Sequence, residues 1–315
     1  MKIKLLIIGK RPPPIGGVTI HVDRLLDFLE QQGVNFTFIS LSFKSLIRVL
    51  HSILNTEVCH LHASNIYLQL LIAIWCKIFN KILIITFHGD ISRYNLFRNR
   101  VVRFLIQLID YPILLNKGSY EIAKNLNHRS VLFSSFIPPL SVEDLPAEIL
   151  NRIMHFRENF KKVFCTSATG ITFDKNGKEI YGVLSLINSF KKVNDYGLVI
   201  SDSSSQYFNY IKTNNIEISD NIIFISQPHS MFEILKLCDG LIRNTSTDGD
   251  SIAIKESLFL GKLTMATDVV SRPKGVLLYN RDDFTALESY FNYNSHQESV
   301  NDGSLQVLNL YKNIK

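Results

Sequence analysis

Short runs of β-branched and aliphatic residues alternate with amphipathic helical runs along almost the whole chain, and this alternation limits the possible folds more than any other feature. In the first half, strands are predicted over 3–8, 36–41, 57–62 and 82–88. Helical runs lie between them at 66–79 and at 18–32, where Val22, Leu25, Leu26 and Leu29 share one face. Strands joined by crossover helices form parallel sheets with helices packed on their faces. The sequence therefore predicts an α/β fold.

The alternation is interrupted once, which predicts two domains. A proline-rich stretch over 136–146 is followed by a charged helical run over 147–160. Further strands are then predicted over 162–166, 198–201, 222–226, 240–243 and 263–267. A chain of 315 residues suits two domains of about 150 residues each. We predict Rossmann-like domains over 1–140 and 141–315, with a final helix able to pack back on the first domain. A ligand is expected in the cleft between them, at the carboxyl ends of the strands.

The charge of the chain is positive overall and unevenly distributed. The net charge is +6, with 46% hydrophobic and 20% charged residues, which is a globular composition. Residues 1–140 contain 16 Lys and Arg against 7 Asp and Glu, whereas the rest contains 18 against 21. A basic first half indicates an anionic partner, either nucleic acid, anionic lipid or a phosphate-bearing substrate. Nucleic acid is disfavoured because no helix has a continuous basic stripe interleaved with aromatic residues.

Neither the cysteines nor the apolar runs indicate export or membrane insertion. Cys59, Cys76, Cys165 and Cys238 have no paired spacing and lie in or beside apolar runs, which is typical of reduced core thiols. The apolar run 5–8 is too short for a signal peptide. The run 66–79 contains Lys77 and falls short of the ~20 residues needed to span a bilayer. We expect a cytoplasmic protein.

A glycine pair joins the first strand to the first helix. Gly16 and Gly17 follow three prolines and precede Val18. Glycines at a helix start let the backbone approach a ligand, and the free N–H groups there favour an anion. The three-glycine spacing of the dinucleotide fingerprint is missing. The alternative is a tight turn in which the glycines only relieve steric strain.

Histidines stand at the ends of two predicted strands. His88 is followed by Gly89, and an imidazole at the carboxyl end of a parallel strand can donate to a hydroxyl or share a proton. The alternative is a surface histidine with its hydrogen bonds satisfied. His60 and His62 share one face of their strand, but no third ligand of fitting spacing follows, so we expect no zinc site.

The loop 243–251 carries the strongest candidate site. It joins a strand to the predicted helix 252–260, which Gly261 ends. The backbone N–H groups of Gly249, Asp250 and Ser251 are suited to a diphosphate at the helix N-terminus. Glu256, within the helix, could accept both hydroxyls of a ribose, and Asp248 could hold a sugar ring. A capped helix would explain Asp250 or Ser251, but not an acid at Asp248 beside a glycine.

The segment 246–262, together with 266–268 and 272–276, resembles the nucleotide-sugar signature of group 1 glycosyltransferases (family 4, retaining), in the bacterial branch that builds surface polysaccharides. The resemblance extends in the family's order to 16–22, 87–89, 181–183 and 186–190. It implies the GT-B fold, with two Rossmann-like domains and a cleft. It also implies retaining transfer of a sugar from a nucleoside diphosphate donor, with a UDP-sugar favoured, to a glycan or lipid-diphosphate-linked acceptor.

The resemblance assigns roles to particular residues. The implied catalytic residues are His88 and Asp248. The implied donor-binding residues are Gly16, Gly17, Lys178, Gly249, Asp250, Ser251 and Glu256. No metal and no cofactor are implied.

The chain departs from the family at three points. The family usually has Glu where this chain has Asp248, and Tyr181 stands where a phosphate-binding Lys is usual, so Lys178 is the nearest candidate. The usual Arg of the phosphate clamp is not evident. Two alternatives stay open: a nucleotide-sugar-binding subunit with reduced turnover, and a sugar-nucleotide epimerase of the same architecture.

A basic and apolar segment follows His88. Arg93, Arg98, Arg100 and Arg103 are interleaved with aromatic and aliphatic residues. A surface of this kind can rest on an anionic bilayer, which predicts peripheral attachment at the inner membrane face. The alternative is a helix whose arginines are only solvated.

Overall fold

The computed structural model describes residues 4–13, 15–42, 44–92, 96–141, 145–168, 170–174, 177–248, 250–281, 283–294 and 300–314. The chain folds into two compact units. Unit 1 comprises Met1–Leu140 and Asn301–Lys315, and unit 2 comprises Ser141–Val300. The C-terminal segment therefore belongs to the same unit as the first 140 residues.

In unit 1 the elements are, in chain order, β1 (Leu5–Gly9), α1 (Gly17–Gln31), β2 (Phe36–Ser40), α2 (Leu46–Leu54), β3 (Val58–Leu61), α3 (Ile66–Ile78), β4 (Ile82–Phe87), α4 (Leu96–Leu108), β5 (Tyr111–Leu114), α5 (Lys117–Lys124) and β6 (Val131–Leu132). In unit 2 they are α6 (Ala147–Arg157), β7 (Lys162–Ser167), α7 (Val183–Phe190), β8 (Tyr196–Ser201), α8 (Gln206–Thr213), β9 (Ile222–Ile225), α9 (Met231–Leu237), β10 (Gly240–Arg243), α10 (Ile252–Phe259), β11 (Leu263–Thr267), β12 (Leu277–Tyr279) and α11 (Phe284–Ser289). The last helix, α12 (Gly303–Asn313), returns to unit 1.

Unit 1 is built on a six-stranded parallel sheet in the order β2-β1-β3-β4-β5-β6. Successive residues of a strand point to opposite faces, so Leu6 and Ile8 join one core cluster while Leu5 and Ile7 join another. Residues of α2, α3 and α4 complete the first cluster, and residues of α1 and α12 complete the second. The direction of the chain across the sheet reverses between β1 and β3.

Unit 2 repeats this plan with a parallel sheet in the order β12-β11-β10-β7-β8-β9. Helices α7, α8 and α11 pack on one face, and α6, α9 and α10 pack on the other. Here the reversal lies between β7 and β10. In open parallel sheets of this type, the crevice at such a reversal, outside the carboxyl ends of the strands, is where ligands bind.

The predicted fold class is confirmed: each unit is a Rossmann-like layer of parallel strands between helices. The strongly periodic elements also match closely, since β10 and β11 have the predicted bounds and α1 differs by one residue at each end. Strand β5 was not predicted from the sequence. Its Pro112 argues against a central strand, because proline has no backbone N–H to donate to a neighbouring strand. In the structure, β6 pairs only with Ile113 and Leu114, so the side of Pro112 that lacks the N–H can face away from any paired strand.

The four cysteines are all free and buried. Among the described residues, no helix is both long enough and apolar enough to cross a membrane.

A glycine contact fixes the start of α7 against the end of β10. Gly182 precedes α7 with φ +68°, and a Cβ added there would lie 2.1 Å from the carbonyl oxygen of Asn244. The Asn244 side-chain amide donates to the Gly182 carbonyl at 3.0 Å, and the Tyr279 hydroxyl holds the Asn244 amide oxygen at 3.1 Å. Both backbone conformation and space therefore require glycine at this position.

Gly182→Ala is expected to lower the free energy of unfolding of unit 2 by about 3 kcal/mol or more, because it combines a left-handed backbone with a clash against backbone. Urea unfolding measures the change. The control is Gly118→Ala on the exposed side of α5, where the nearest atom to an added Cβ is 3.8 Å away. Gly118→Ala should leave the stability unchanged or raise it slightly. Equal effects of the two substitutions would contradict the requirement for glycine at position 182.

Candidate functional site

The strand reversal of unit 2 brings two loops together at the carboxyl edge of its sheet. Ser167 ends β7 and Arg243 ends the neighbouring β10. Arg243 Nη1 donates to the Ser167 carbonyl at 2.9 Å and so bridges the two strand ends. The loop 244–251, part of the candidate site predicted from the sequence, starts at this point.

Arg243, Asp248 and Arg272 form a buried ion cluster, here called the arginine–aspartate cluster. Arg243 contacts both carboxylate oxygens of Asp248, through Nε at 3.0 Å and Nη2 at 3.2 Å. Arg272 Nη1 donates to the same carboxylate at 2.8 Å, and Arg272 Nε donates to the Thr267 carbonyl at 3.2 Å. The side chains of Arg272 and Asp248 are only 2% and 9% exposed. Two guanidinium groups thus share one carboxylate in a buried setting.

The ionisation of Asp248 follows from these neighbours. Burial alone would raise the pKa of this carboxyl group, but the charges and hydrogen bonds of Arg243 and then Arg272 outweigh burial and lower the pKa below its ordinary value. Asp248 is therefore a carboxylate at neutral pH, and the cluster carries a net positive charge. Both arginines lie within the candidate loop and the family-like segments, but the sequence alone gave neither of them a role.

Tyr181 contacts the cluster from the neighbouring loop, and Glu179 of the same loop caps α7. The Arg243 guanidinium lies 5.3 Å from the centre of the Tyr181 ring, a cation–π contact. Glu179 is buried and accepts from the backbone N–H groups of Val183 at 2.8 Å and Leu184 at 3.0 Å, so it caps the N-terminus of α7. Tyr207 donates its hydroxyl to the same carboxylate. The Glu179 carboxylate thus occupies the start of α7.

The N-terminus of α10 follows the loop directly. Ser251 is its N-cap residue, and its hydroxyl makes no capping hydrogen bond within the described chain. Asp250 is instead paired with Lys255. Glu256 is buried on α10, and its charge contributes to the raised pKa of Cys165, after burial and a hydrogen bond with Cys238. Ile254 and Leu258 of the same helix pack with Cys165 of β7 in one core cluster, so α10 lies against the strand that ends at this reversal. Gly249 lies outside the described residues.

Lys178 lies on the surface of a small hairpin. Phe173 and Glu179 form an antiparallel bridge, and the exposed Lys178 donates its backbone N–H to Asp174 Oδ1 at 2.9 Å. The structure thus brings Asp248, Asp250, Ser251 and Glu256 together in one loop and helix, with Lys178 on the adjacent hairpin.

The glycine pair of unit 1 lies at the start of α1. Gly16 is the N-cap residue in an extended conformation, and a Cβ added there would meet nothing within 4 Å. Thr19 Oγ1 accepts from the Gly16 N–H at 3.1 Å, which caps the helix. Gly17 is exposed as the first residue of the helix. Neither the backbone conformation nor internal packing requires glycine at position 16.

Four histidines of unit 1 lie together at the carboxyl edge of its sheet. His62 and His88 follow β3 and β4, and His62 Nδ1 lies 3.1 Å from His88 Nε2. The ring of His21, on α1, lies 5.0 Å from the ring of His88 between centroids. His60 lies deeper in the unit, with its Nε2 2.8 Å from Thr86 Oγ1 and its Nδ1 against the Tyr311 hydroxyl. His88 was selected from the sequence, but the position of His21 beside it was not predicted.

The surroundings lower the pKa of three of these imidazoles, those of His60, His62 and His88. Burial, followed by the neighbouring His21, lowers the pKa of His60 to about 3. Burial also lowers the pKa of His62 and of His88 well below the ordinary value, with the other histidines as the next cause. A neutral imidazole keeps one nitrogen as a donor and the other as an acceptor.

Solved structures with a similar fold share little sequence with the chain. HepE from Anabaena in complex with UDP-glucose is 11% identical, with a TM-score of 0.68 over 91% of this chain and 90% of that chain. A glycosyltransferase from Rickettsia africae is 13% identical, with a TM-score of 0.66 over 98% and 89%. The UDP-GlcNAc 2-epimerase of Methanocaldococcus jannaschii is 12% identical, with a TM-score of 0.62 over 98% and 99%.

No family model matches the chain, and no curated protein matches it by sequence. At the identities found, the likeness to solved structures establishes the fold. The chain has the GT-B fold, which these structures share across almost their whole length.

The neutral histidines predict a pH dependence of stability. A histidine whose pKa is lowered on folding contributes stability that is complete above its unfolded pKa of about 6.5 and is lost as the pH falls towards the folded pKa. For His60, with a folded pKa of about 3, the loss between pH 7 and pH 5 amounts to about 2 kcal/mol. We expect His60→Gln to reduce this pH dependence in urea unfolding in metal-free buffer. The control is His128→Gln, an exposed histidine, which should leave the pH dependence unchanged. The prediction would be contradicted if the free energy of unfolding changed equally with pH in the wild type and in both variants.

Proposed function

We propose that the chain is a retaining glycosyltransferase that moves a sugar from a nucleoside diphosphate donor to a hydroxyl acceptor in bacterial surface polysaccharide assembly. The arginine–aspartate cluster beside the N-terminus of α10 carries the proposal. It combines two guanidinium groups with one carboxylate at a strand reversal, next to backbone N–H groups of a helix start, and a diphosphate fits both features. UDP-sugars are the favoured donors, supported by the UDP-glucose held by HepE.

In this proposal each residue near the cluster has a separate task. The N–H groups at Asp250 and Ser251, together with Gly249, receive the diphosphate, and Glu256 accepts the ribose hydroxyls. The nearly enclosed Arg272 acts by its charge and by holding Asp248, rather than by direct contact. Asp248 was predicted to hold the donor sugar. Its contacts support a further task, which is to fix both guanidinium groups and with them the loop 244–248.

The candidate residues of unit 1 are proposed to contact the donor phosphates and the groups between which the sugar is transferred. Gly16, where an added side chain would point into open space, and Gly17 admit the donor phosphates to the start of α1. His88 contacts the donor sugar or the attacking acceptor hydroxyl, and the neutral form set by its burial lets it accept or donate a hydrogen bond there. Lys178 is proposed as a donor-phosphate contact on the resemblance alone.

The leaving diphosphate is stabilised electrostatically in this proposal. The positive cluster and the helix N-termini oppose the charge that develops on it, so no divalent cation and no cofactor is required at the diphosphate. The acceptor is proposed to be a glycan or a lipid-diphosphate-linked sugar.

The activity is tested by incubating the purified chain with labelled nucleoside diphosphate sugars, with and without lipid-linked acceptors. Label transferred to an acceptor, with the donor configuration retained, supports the proposal. The likeness to the UDP-GlcNAc 2-epimerase favours a second candidate, an epimerase, which would convert its donor without any acceptor. Donor binding with neither reaction would instead indicate a binding subunit with reduced turnover.

Arg272→Gln is expected to weaken UDP binding about tenfold or more, because it removes one positive charge from the cluster and breaks a buried ion pair that holds Asp248, a change that typically costs about 3–5 kcal/mol. Calorimetric titration with UDP gives the affinity. Lys274→Gln removes the same charge from an exposed position in the same loop and should change the affinity much less. Equal losses in the two variants would show that only the overall charge matters, and would remove the cluster from the site.

Glu256→Gln is expected to weaken binding of UDP by about 1.5–3 kcal/mol, because an amide can accept only part of the bonding of a carboxylate to two hydroxyls. The measurement compares UDP with 2′,3′-dideoxy-UDP by calorimetry. The wild type should prefer UDP strongly, and Glu256→Gln should lose most of that preference. A preference that survives the substitution would assign the ribose to another residue.

Peripheral attachment to the inner membrane face is proposed from α4. Phe97 and Phe104 are 67% and 53% exposed, and Arg100 and Arg103 are exposed beside them on the same helix. Aromatic and cationic groups together favour the interface of an anionic bilayer. Arg93, which belongs to the basic segment predicted from the sequence, lies outside the described residues.

The chain is expected to float with anionic phospholipid vesicles at low salt and to bind more weakly at 1 M salt, where the Debye length is about 3 Å. Replacing both Phe97 and Phe104 by Ser should reduce the bound fraction. The control is Phe173→Ser, an exposed phenylalanine of unit 2. If the wild type stays unbound at low salt, the membrane proposal is wrong, and the arginines of α4 should instead be assigned to binding the phosphates of the substrate.

A further inference from the structure

Three histidines of unit 1 present their nitrogens to one point. His21, His62 and His88 each offer a ring nitrogen, and these atoms all lie within 4.8 Å of one another. Among the described residues, no other group of three potential metal ligands meets so closely. His21 and His62 are buried and His88 is half-buried.

The three rings are held by rigid elements. His21 lies on α1, while His62 and His88 directly follow the adjacent parallel strands β3 and β4. The site lies at the carboxyl edge of the sheet, beside the reversal between β1 and β3. His21 is thus positioned by a packed helix, and His62 and His88 are each joined directly to the last residue of a paired strand.

The hydrogen bond of His21 selects the tautomer that a metal needs. Its Nδ1 lies 2.9 Å from the carbonyl oxygen of Ser135, so Nδ1 carries the proton and donates it. The lone pair is then on Nε2. Metal-ligating histidines almost always donate their other ring N–H to a carbonyl or carboxylate, which fixes the ring and raises its basicity.

The spacing of the other two rings is also suitable. His62 Nδ1 and His88 Nε2 are 3.1 Å apart. Two nitrogens at about 2.0–2.1 Å from a tetrahedral zinc ion lie roughly 3.3 Å apart, so this pair needs little movement. His62 Nε2 is buried and has no hydrogen-bond partner among the residues described. Ligation through Nδ1 would leave the proton of His62 on this Nε2.

We propose that His21, His62 and His88 bind a zinc-type transition metal ion, with its fourth position open to a water or hydroxyl oxygen. Three imidazoles with an open fourth position form a common zinc arrangement. Nitrogen ligands select Zn²⁺, Co²⁺, Ni²⁺ or Cu²⁺ over Mg²⁺ and Ca²⁺, which prefer oxygen. The proposed ion therefore differs in ligand preference from Mg²⁺, which binds oxygen ligands such as those of a diphosphate.

The neighbouring His60 acts as a support rather than a ligand. Both of its ring nitrogens are engaged, by Thr86 Oγ1 and the Tyr311 hydroxyl. The pair His60 and His62, which share a strand face, is therefore divided: His62 ligates, and His60 packs beside it with ring centroids 4.2 Å apart. This inference gives His88 a task other than the sugar or acceptor contact proposed above, and it is tested separately, since metal binding is measured without turnover.

The test uses full-length protein without a histidine tag, treated with a chelator and then freed of it. Zn²⁺ or Co²⁺ is added, unbound metal is removed, and bound metal is counted by mass spectrometry. We expect one equivalent per chain, a visible spectrum of four-coordinate Co²⁺, and a higher Tm with Zn²⁺. An excess of Mg²⁺ should not displace the ion.

Three variants and one control complete the experiment. His21→Gln, His62→Gln and His88→Gln should each lower zinc affinity at least about tenfold, since even losing a supporting residue outside the ligand set costs 10–100-fold. His128→Gln, an exposed histidine of the same unit, should bind like the wild type. The proposal fails if wild type retains no more zinc than His62→Gln, or if wild-type Co²⁺ gives a six-coordinate spectrum. The second criterion applies even if a variant does not fold.

Discussion

The parallel pairing of β7 with β10 is the constraint on which the candidate donor site depends. These strands are neighbours in the sheet although three helices and two strands separate them in sequence. Because they run in the same direction, their carboxyl ends meet at one edge, and the loops that follow them converge there. Arg243 crosses between the strand ends to the Ser167 carbonyl, so the pairing also fixes the first residue of the site.

Several tight contacts convert this pairing into a defined geometry. Gly182 allows the start of α7 to lie against the backbone of Asn244, and Glu179 caps that helix. Asp248 then holds Arg243 and Arg272 in place. Breaking a buried ion pair typically costs about 3–5 kcal/mol, because a charge is left without its partner in a medium of low polarity. A buried cluster with more positive than negative charge is stabilised further when an anion binds beside it.

Much of the fold was predictable from the sequence, because burial of parallel strands and amphipathic helices leaves periodic patterns. The loop 244–251 and Glu256 could be selected as candidates because a strand, a polar loop and a helix follow one another locally. The contacts of Arg272 were not predictable, since Arg272 reaches Asp248 from a separate loop 24 residues further along the chain. His21 was missed for the same reason: it lies on α1, and only the order β1-β3-β4 brings it beside His62 and His88. Likewise, Gly303 packs against the backbone of Ser134 by a contact that no local pattern indicates.

The central claim is that the donor diphosphate binds at the carboxyl edge of β7 and β10, at the start of α10. A crystal structure of the chain with UDP tests this claim most directly. We predict that the diphosphate contacts backbone N–H groups between positions 248 and 252, that the ribose hydroxyls reach Glu256, and that Arg243 and Arg272 stay paired with Asp248. A diphosphate bound away from this loop, with the arginine–aspartate cluster facing no ligand, would contradict the claim.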